Sequence, residues 1–226
     1  MQALEDYFKA VHDYIENGQS PRDLQMEALI PYATGEKPVI LRVRNASTIR
    51  AAVDFAKRNK LKVILSGASD AWREAELLAR ENIPVLIPPA GRSTLSANNT
   101  TEDYDPYDTP YLVPYLLAKA GVKFGFEETD SAMIQNLPFQ VGMSCGYGLS
   151  HEDAIKALTI WPAQIYGVDD QLGSLEVGKT ADFVIVDGDP FELTTNTRYL
   201  FIGGKPVPVK SQHTQMRDKY WGRFRN

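Results

Sequence analysis

Few side chains in this sequence are equipped for chemistry. Three histidines, His12, His151 and His213, are scattered along the chain, and no His-x-His pair is present to open a metal site. The lone cysteine, Cys145, rules out an internal disulfide and any multi-cysteine zinc site. Glu127-Glu128-Thr129-Asp130 sets three carboxylates directly after an apolar, strand-like stretch. A carboxylate at the end of a buried strand can carry a proton or ligate a cation. Asp130 can equally serve as a helix N-cap for the residues from Ser131 onward. Glu127 and Glu128 could add carboxylates, although neighbouring acids in such turns are usually solvated. His151 follows the capping serine Ser150 and reads as a solvent-facing first-turn residue, because metal histidines need convergent partners. His12 and His213 fall on terminal helices and read as surface residues. Cys145, in Ser144-Cys145-Gly146, has no base beside it and reads as a buried structural thiol rather than a nucleophile.

Hydrophobic periodicity supplies the elements that must position these groups. Leu4, Phe8, Val11 and Ile15 form one helical stripe that stops at Gly18, and a second short helix runs through Leu29. The rhythm then changes to continuous apolar runs at 38–41, 61–65, 83–87 and 122–126, as expected of strands buried on both faces. Helices are predicted between them at 47–60, 71–81 and 109–120, with Ile49, Ala52, Val53 and Ala56 at helical spacing in the first. Strand–helix repeats of this length predict parallel strands with right-handed crossovers. The polar connection from Pro88 to Asp108 is too long for a passive link, and reads as a lid, an interface or a mobile loop. After Asp130 the pattern turns helical, with Ala154, Ala157, Leu158 and Trp161 in one stripe. The tail returns to strands at 182–187, 199–202 and 206–209 around Gly203-Gly204, and closes on an aromatic-rich helix from Thr214 to Phe224.

Composition narrows the function classes. With 29 acidic and 24 basic side chains among 226 residues the net charge is −5, which argues against a nucleic-acid-binding module. A hydrophobic content of 43% and a charged content of 23% fit a globular protein rather than a disordered one. No apolar run approaches the roughly 20 residues of a membrane helix. The acidic, amphipathic opening is not a targeting signal, which makes a cytoplasmic location the default expectation.

The tail also carries a family likeness. Ala154-Ile155-Lys156-Ala157-Leu158-Thr159, Pro162-Ala163, Gly167-Val168, Gly173-Ser174-Leu175-Glu176, Gly178-Lys179-Thr180-Ala181-Asp182-Phe183-Val184-Ile185 and Gly188-Asp189-Pro190 resemble the C-terminal signature of the amidohydrolase superfamily. The branch they resemble is the imidazolonepropionase-like and dipeptidase-like group, and Thr129-Asp130-Ser131 is similar to its strand-8 aspartate turn. The resemblance implies an α/β fold, a TIM barrel beside a small β-sandwich, with the site at the C-terminal ends of the strands. It implies one or two divalent metals, zinc foremost. Their ligands would be a strand-1 His-x-His pair, a strand-4 lysine or glutamate, strand-5 and strand-6 histidines and the strand-8 aspartate. Such metals turn water into hydroxide near neutral pH and polarise a carbonyl, while the aspartate moves the proton.

On that pattern the chain corresponds to the C-terminal half of the (β/α)8 barrel, strands 5–8, over residues 1–165, and to part of the sandwich over 166–226. The strand-5 histidine position falls at Arg42 and the strand-6 position at Ser69. A permanently charged guanidinium repels a dication, and a serine hydroxyl is a weak ligand beside imidazole. Asp130 alone survives as catalytic residue and metal ligand. Arg42 is expected to form a salt bridge in the barrel mouth, to Asp130 or Asp70, with binding of a substrate carboxylate as the alternative. The expected activity is metal-dependent hydrolysis of C–N bonds in cyclic amides or dipeptide-like substrates, with a degraded metal site. The alternative is a non-catalytic partner of an active relative. Four parallel strands with open edges need completion, by an N-terminal barrel half or by another copy of the chain. No nucleic acid or membrane partner is expected.

Overall fold

The computed structural model describes residues 2–90, 105–128, 131 and 133–224. Two helices lead, α1 (Gln2–Glu16) and α2 (Leu24–Ala33), the latter capped by Asp23, whose carboxylate accepts from the N–H groups of Gln25 and Met26. Phe8 and Val11 of α1 are buried as expected, whereas Leu4 remains exposed. Tyr14 takes part in the buried stripe, and its hydroxyl accepts from Asp23 N–H at 3.0 Å.

Four strands follow in the predicted order: β1 (Val39–Arg42), β2 (Val63–Ser66), β3 (Val85–Ile87) and β4 (Phe124–Phe126). They form one sheet in the order β1-β2-β3-β4, and every pair is parallel. The connections carry α3 (Ala46–Arg58), a 3-10 turn (Ala71–Glu74) running into α4 (Ala75–Arg80), and α5 (Thr109–Lys119). Much of the 88–108 connection, residues 91–104, lies outside the described residues, as does Asp130.

Side chains alternate across the sheet, so each strand serves two faces. Val63, Leu65, Val85, Ile87 and Phe124 enter the main core together with Ile49, Val53 and Phe55 of α3, Leu78 of α4 and Leu117 of α5. Phe55 meets Phe8 edge-on at 6.0 Å, which fixes α1 against α3. The opposite face carries Ile40 beside Ile64, and Leu86 beside Ser66. Ile64 and Leu86 are buried with Ile165 in a second, smaller cluster, while Ile40 on the edge strand is 52% exposed.

Beyond β4 come α6 (Leu137–Gly146), α7 (His151–Leu158) and α8 (Ile160–Tyr166). The predicted single stripe through Trp161 is in fact two helices. The backbone breaks at Thr159 (φ −130°, ψ −90°), and Pro162, which lacks an N–H, sits in the first turn of α8. Trp161 packs edge-on against Phe124 at 5.1 Å. Gly125 gives α8 room: a Cβ there would lie 3.1 Å from Pro162 and 3.3 Å from Leu86.

The tail forms an antiparallel sheet of β5 (Phe183–Val186), β6 (Thr197–Ile202) and β7 (Lys205–Val207). Gly203 and Gly204, both at positive φ, make the two-residue turn between β6 and β7. Gly203 N–H donates to Asp182, and Phe183 stacks on Phe201 at 4.6 Å. The closing helix α9 (Gln212–Trp221) departs from expectation in having no buried residue.

Candidate functional site

The C-terminal ends of the parallel strands open into a cavity of about 440 Å³, lined by Arg42, Arg44, Thr48, Gly67, Ser69 and Glu127, with Val43, Pro88, Pro89 and Glu128 completing its wall. Parallel α/β sheets bind ligands at this end because loops, not packed helices, border it. Register places Ser66 directly beside Arg42. Two residues beyond β1, Arg44 joins Arg42 in the cavity. Ser69 lies in the same cavity, its hydroxyl 3.4 Å from the Gly67 carbonyl.

Glu127 is the best-anchored charge in the mouth. It sits just past β4, half-buried, and its Oε2 accepts from Ser66 Oγ at 2.7 Å and from Gly67 N–H at 3.1 Å. Charge-assisted bonds of this kind are about twice as strong as neutral ones and fix the carboxylate's direction. Gly67 is required by both backbone and space. Its φ is +70°, and a Cβ would stand 3.2 Å from the Val43 carbonyl and 3.9 Å from Cγ and Nε of Arg42. Tyr166 senses the mouth from α8: burial, and secondarily the charge of Glu127, push its hydroxyl above the ordinary tyrosine range.

The expected salt bridge of Arg42 to Asp70 does not form. Asp70 is 2% exposed, and it is committed to the turn between β1 and α3. Its carboxylate accepts from Ala46 N–H at 3.1 Å and faces Arg73 at 3.8 Å, while its own N–H donates to the Arg44 carbonyl at 3.0 Å. Arg73 turns further to Asp105. Neither Arg42 nor Arg44 has an ion pair among the described residues. Asp130, the other expected partner, lies outside them.

Away from the mouth, His151 opens α7 on the surface, with Nε2 2.9 Å from Asp189 Oδ1 and the ring edge-on to Phe191. Asp189 is held below the usual carboxylate range by the Phe191 N–H and then by His151. Cys145 is half-buried rather than fully buried, and burial pushes its thiol up, with Asp189 adding to the effect. His12 is half-buried beside charged residues of α1 and α3, and His213 is exposed.

A sequence model of the amidohydrolase family matches residues 112–209. The imidazolonepropionase of Syntrophobacter fumaroxidans is 42% identical over 59 residues, 26% of this chain and 14% of that protein. That of Picrophilus torridus is 31% identical over 97 residues, 40% of this chain and 25% of that one. An amidohydrolase from Thermotoga maritima superposes on 92% of this chain with a TM-score of 0.79 and 26% identity. These likenesses support the amidohydrolase superfamily. The chain spans 55% of the Thermotoga amidohydrolase, and its matched stretches cover a quarter or less of the two curated relatives.

Superfamily sites hold divalent metals, so the donors in this mouth can be tested for fit. Among the described residues no group of three or more histidine, cysteine or carboxylate side chains converges as a ligand set. The cavity offers Glu127 and Glu128 against two guanidiniums, and Glu127 already spends one oxygen on Ser66 and Gly67. Adjacent fixed cations oppose a dication, so these residues do not fit a metal by themselves. Arg44, Thr48, Ser66 and Gly67 escaped the sequence reading. Arg44 had a usable signal, since it follows Arg42 by two positions. The tie of Ser66 to Glu127 spans 61 positions and had none.

Proposed function

We propose that this chain is part of an amidohydrolase-superfamily hydrolase acting on the C–N bond of a cyclic amide or dipeptide-like molecule, with its share of the metal site degraded. The observation that carries this reading is the anchored Glu127 carboxylate in a cavity at the C-terminal ends of four parallel strands, in a chain of this superfamily. Here Ser66 and Gly67 orient the carboxylate, and Arg42 and Arg44 offer charge to an anionic substrate group. We read the four strands as strands 5–8 of a barrel and the tail as part of a β-sandwich. The outer edges of β1 and β4 pair with no strand among the described residues and call for completion by an N-terminal barrel half or a second copy. Among the described residues no helix is long and apolar enough to cross a membrane.

A second reading, a non-catalytic partner of an active relative, is favoured by the two guanidiniums standing in the mouth without ion pairs among the described residues. The test incubates the purified protein with a hydantoin-type cyclic amide and with dipeptides, with and without added zinc, and follows ring opening to the carbamoyl amino acid and amine release from the dipeptides. Turnover lost on Glu127→Gln supports the hydrolase. Absence of turnover across the panel, in protein of barrel-sized mass, supports the partner reading.

A further inference from the structure

The net charge of −5 conceals a segregation along the chain. From Lys205 to Asn226 six Lys and Arg side chains stand against one acid, Asp218, so these 22 residues carry +5 and the preceding 204 carry −10. Helix α9 lies in this basic stretch. Ser211 starts it with a capping box, its hydroxyl accepting from Thr214 N–H at 3.2 Å while the Thr214 hydroxyl accepts from Ser211 N–H at 2.9 Å. Ten residues that bury no side chain are marginal as a helix in water, because short helices owe their stability to a packed face. The cap sets where α9 begins, but its face still lacks a surface. Met216, Lys219, Tyr220 and Arg223 recur at i, i+3, i+4 and i+7, on one side of α9 and the 3-10 turn that follows it. Lys219 Nζ lies 5.4 Å, and Arg223 Cζ 4.8 Å, from the centre of the Tyr220 ring, which holds both cations beside it. Arg217 pairs with Asp218, whereas Lys210, Lys219 and Arg223 have no ion pair among the described residues. Val209, Met216, Tyr220 and Trp221 are exposed in the same stretch.

We propose that α9 docks the chain on an anionic phospholipid surface, with Met216 and Tyr220 toward the acyl boundary and Lys219 and Arg223 among the headgroup phosphates. Charge and apolarity together select this occupant. A second copy meeting α9 with its own α9 would set +5 against +5. A nucleic acid would use the cations and stack on the rings, but would leave Val209 and Met216 in water. An anionic bilayer uses both halves, since cations reach the headgroups while aliphatic and aromatic groups enter the boundary beneath them. The whole-chain charge, which argues against such a partner, averages this local excess away. At a rise of about 1.5 Å per residue α9 is only about 15 Å long, so it lies on the surface and does not span it. The inference concerns a surface apart from the mouth and stands whether or not the chain hydrolyses an amide.

Co-sedimentation of the full chain with vesicles tests it, using phosphatidylcholine alone and phosphatidylcholine mixed with phosphatidylserine. The serine-lipid vesicles should bind at least about tenfold more tightly in about 0.1 M salt, and the advantage should shrink at about 0.5 M as the charges are screened. Helix content by circular dichroism should rise on binding, because the surface holds α9. Replacing Lys219 and Arg223 together by glutamine should weaken binding about 25-fold, at about fivefold per cation. Met216→Glu should weaken it about tenfold or more, through lost apolar contact and a repelled carboxylate. Both variants should unfold at the parent's temperature, since α9 buries no side chain. Equal binding to the two vesicles, binding to neither, or undiminished binding by the double variant overturns the proposal. Tighter binding of a single-stranded RNA than of the serine-lipid vesicles does the same. A dimer in solution that the double variant breaks assigns α9 to a second copy and overturns it as well.

Discussion

Replacing Asp70 by alanine should loosen the mouth through a single buried carboxylate. Its side chain is 3% exposed, and it satisfies the Ala46 N–H at the start of α3 while facing Arg73 at 3.8 Å. Deletion strands the Ala46 donor, which costs about 1–2 kcal/mol for a half-buried group. The loss at Arg73 is smaller, because Asp105 still pairs with that guanidinium. A total near 2 kcal/mol follows, or a fall in Tm of about 4–8 °C for a chain of this length. Asp70→Asn keeps an acceptor of the same shape and should cost about half as much. The Asp70 N–H bond to the Arg44 carbonyl survives in both variants, so the sheet itself should remain intact. Urea unfolding followed by circular dichroism measures the difference. An alanine variant within about 0.5 kcal/mol of the parent would refute the role given to this carboxylate, since changes that small are typical of surface positions.

Other perturbations probe the scaffold. Phe124→Ala should cost about 3–5 kcal/mol in the same assay, because a fully buried ring contacting Phe126 and Trp161 would be lost. Gly67→Ala should cost about 1–2 kcal/mol for its left-handed backbone, and should disturb ligand binding in the mouth as well as stability. Cys145, with its thiol pushed up by burial, should react with iodoacetamide at pH 7.5 more slowly than free cysteine, and become normally reactive in urea. Asp189 is held below its ordinary range, so it favours the folded state above the usual carboxylate pKa. Its contribution should fade as pH falls through the lowered value, and an Asp189→Asn variant should have a flatter acid limb in a pH–stability profile.

Much of the fold was legible because apolar period and length speak directly. The runs at 38–41, 61–65, 83–87 and 122–126 each became a parallel strand within a residue or two. Ile49, Ala52, Val53 and Ala56 were buried as their spacing implied. The α7–α8 break was missed because Trp161 continues the apolar stripe, although Pro162 marked it. The exposure of α9 could not be foreseen, since an aromatic-rich helix reads as amphipathic whether or not a partner covers it. At the site, Arg42 and Ser69 were singled out by the family likeness, as its strand-5 and strand-6 ligand positions, and both line the mouth. The Glu127 anchor was out of reach, because it joins β4 to β2 across an intervening strand. The commitment of Asp70 to Ala46 and Arg73 was equally hidden, and it leaves Asp70 unavailable to Arg42.

The central proposal is a degraded metal site, and elemental analysis of the purified protein for zinc, manganese and iron, alongside its mass in solution, tests it most directly. The account predicts well under one metal per chain, unchanged in Glu127→Gln. One equivalent per chain, lost on Asp130→Ala, would contradict it and restore a working metal centre to this mouth.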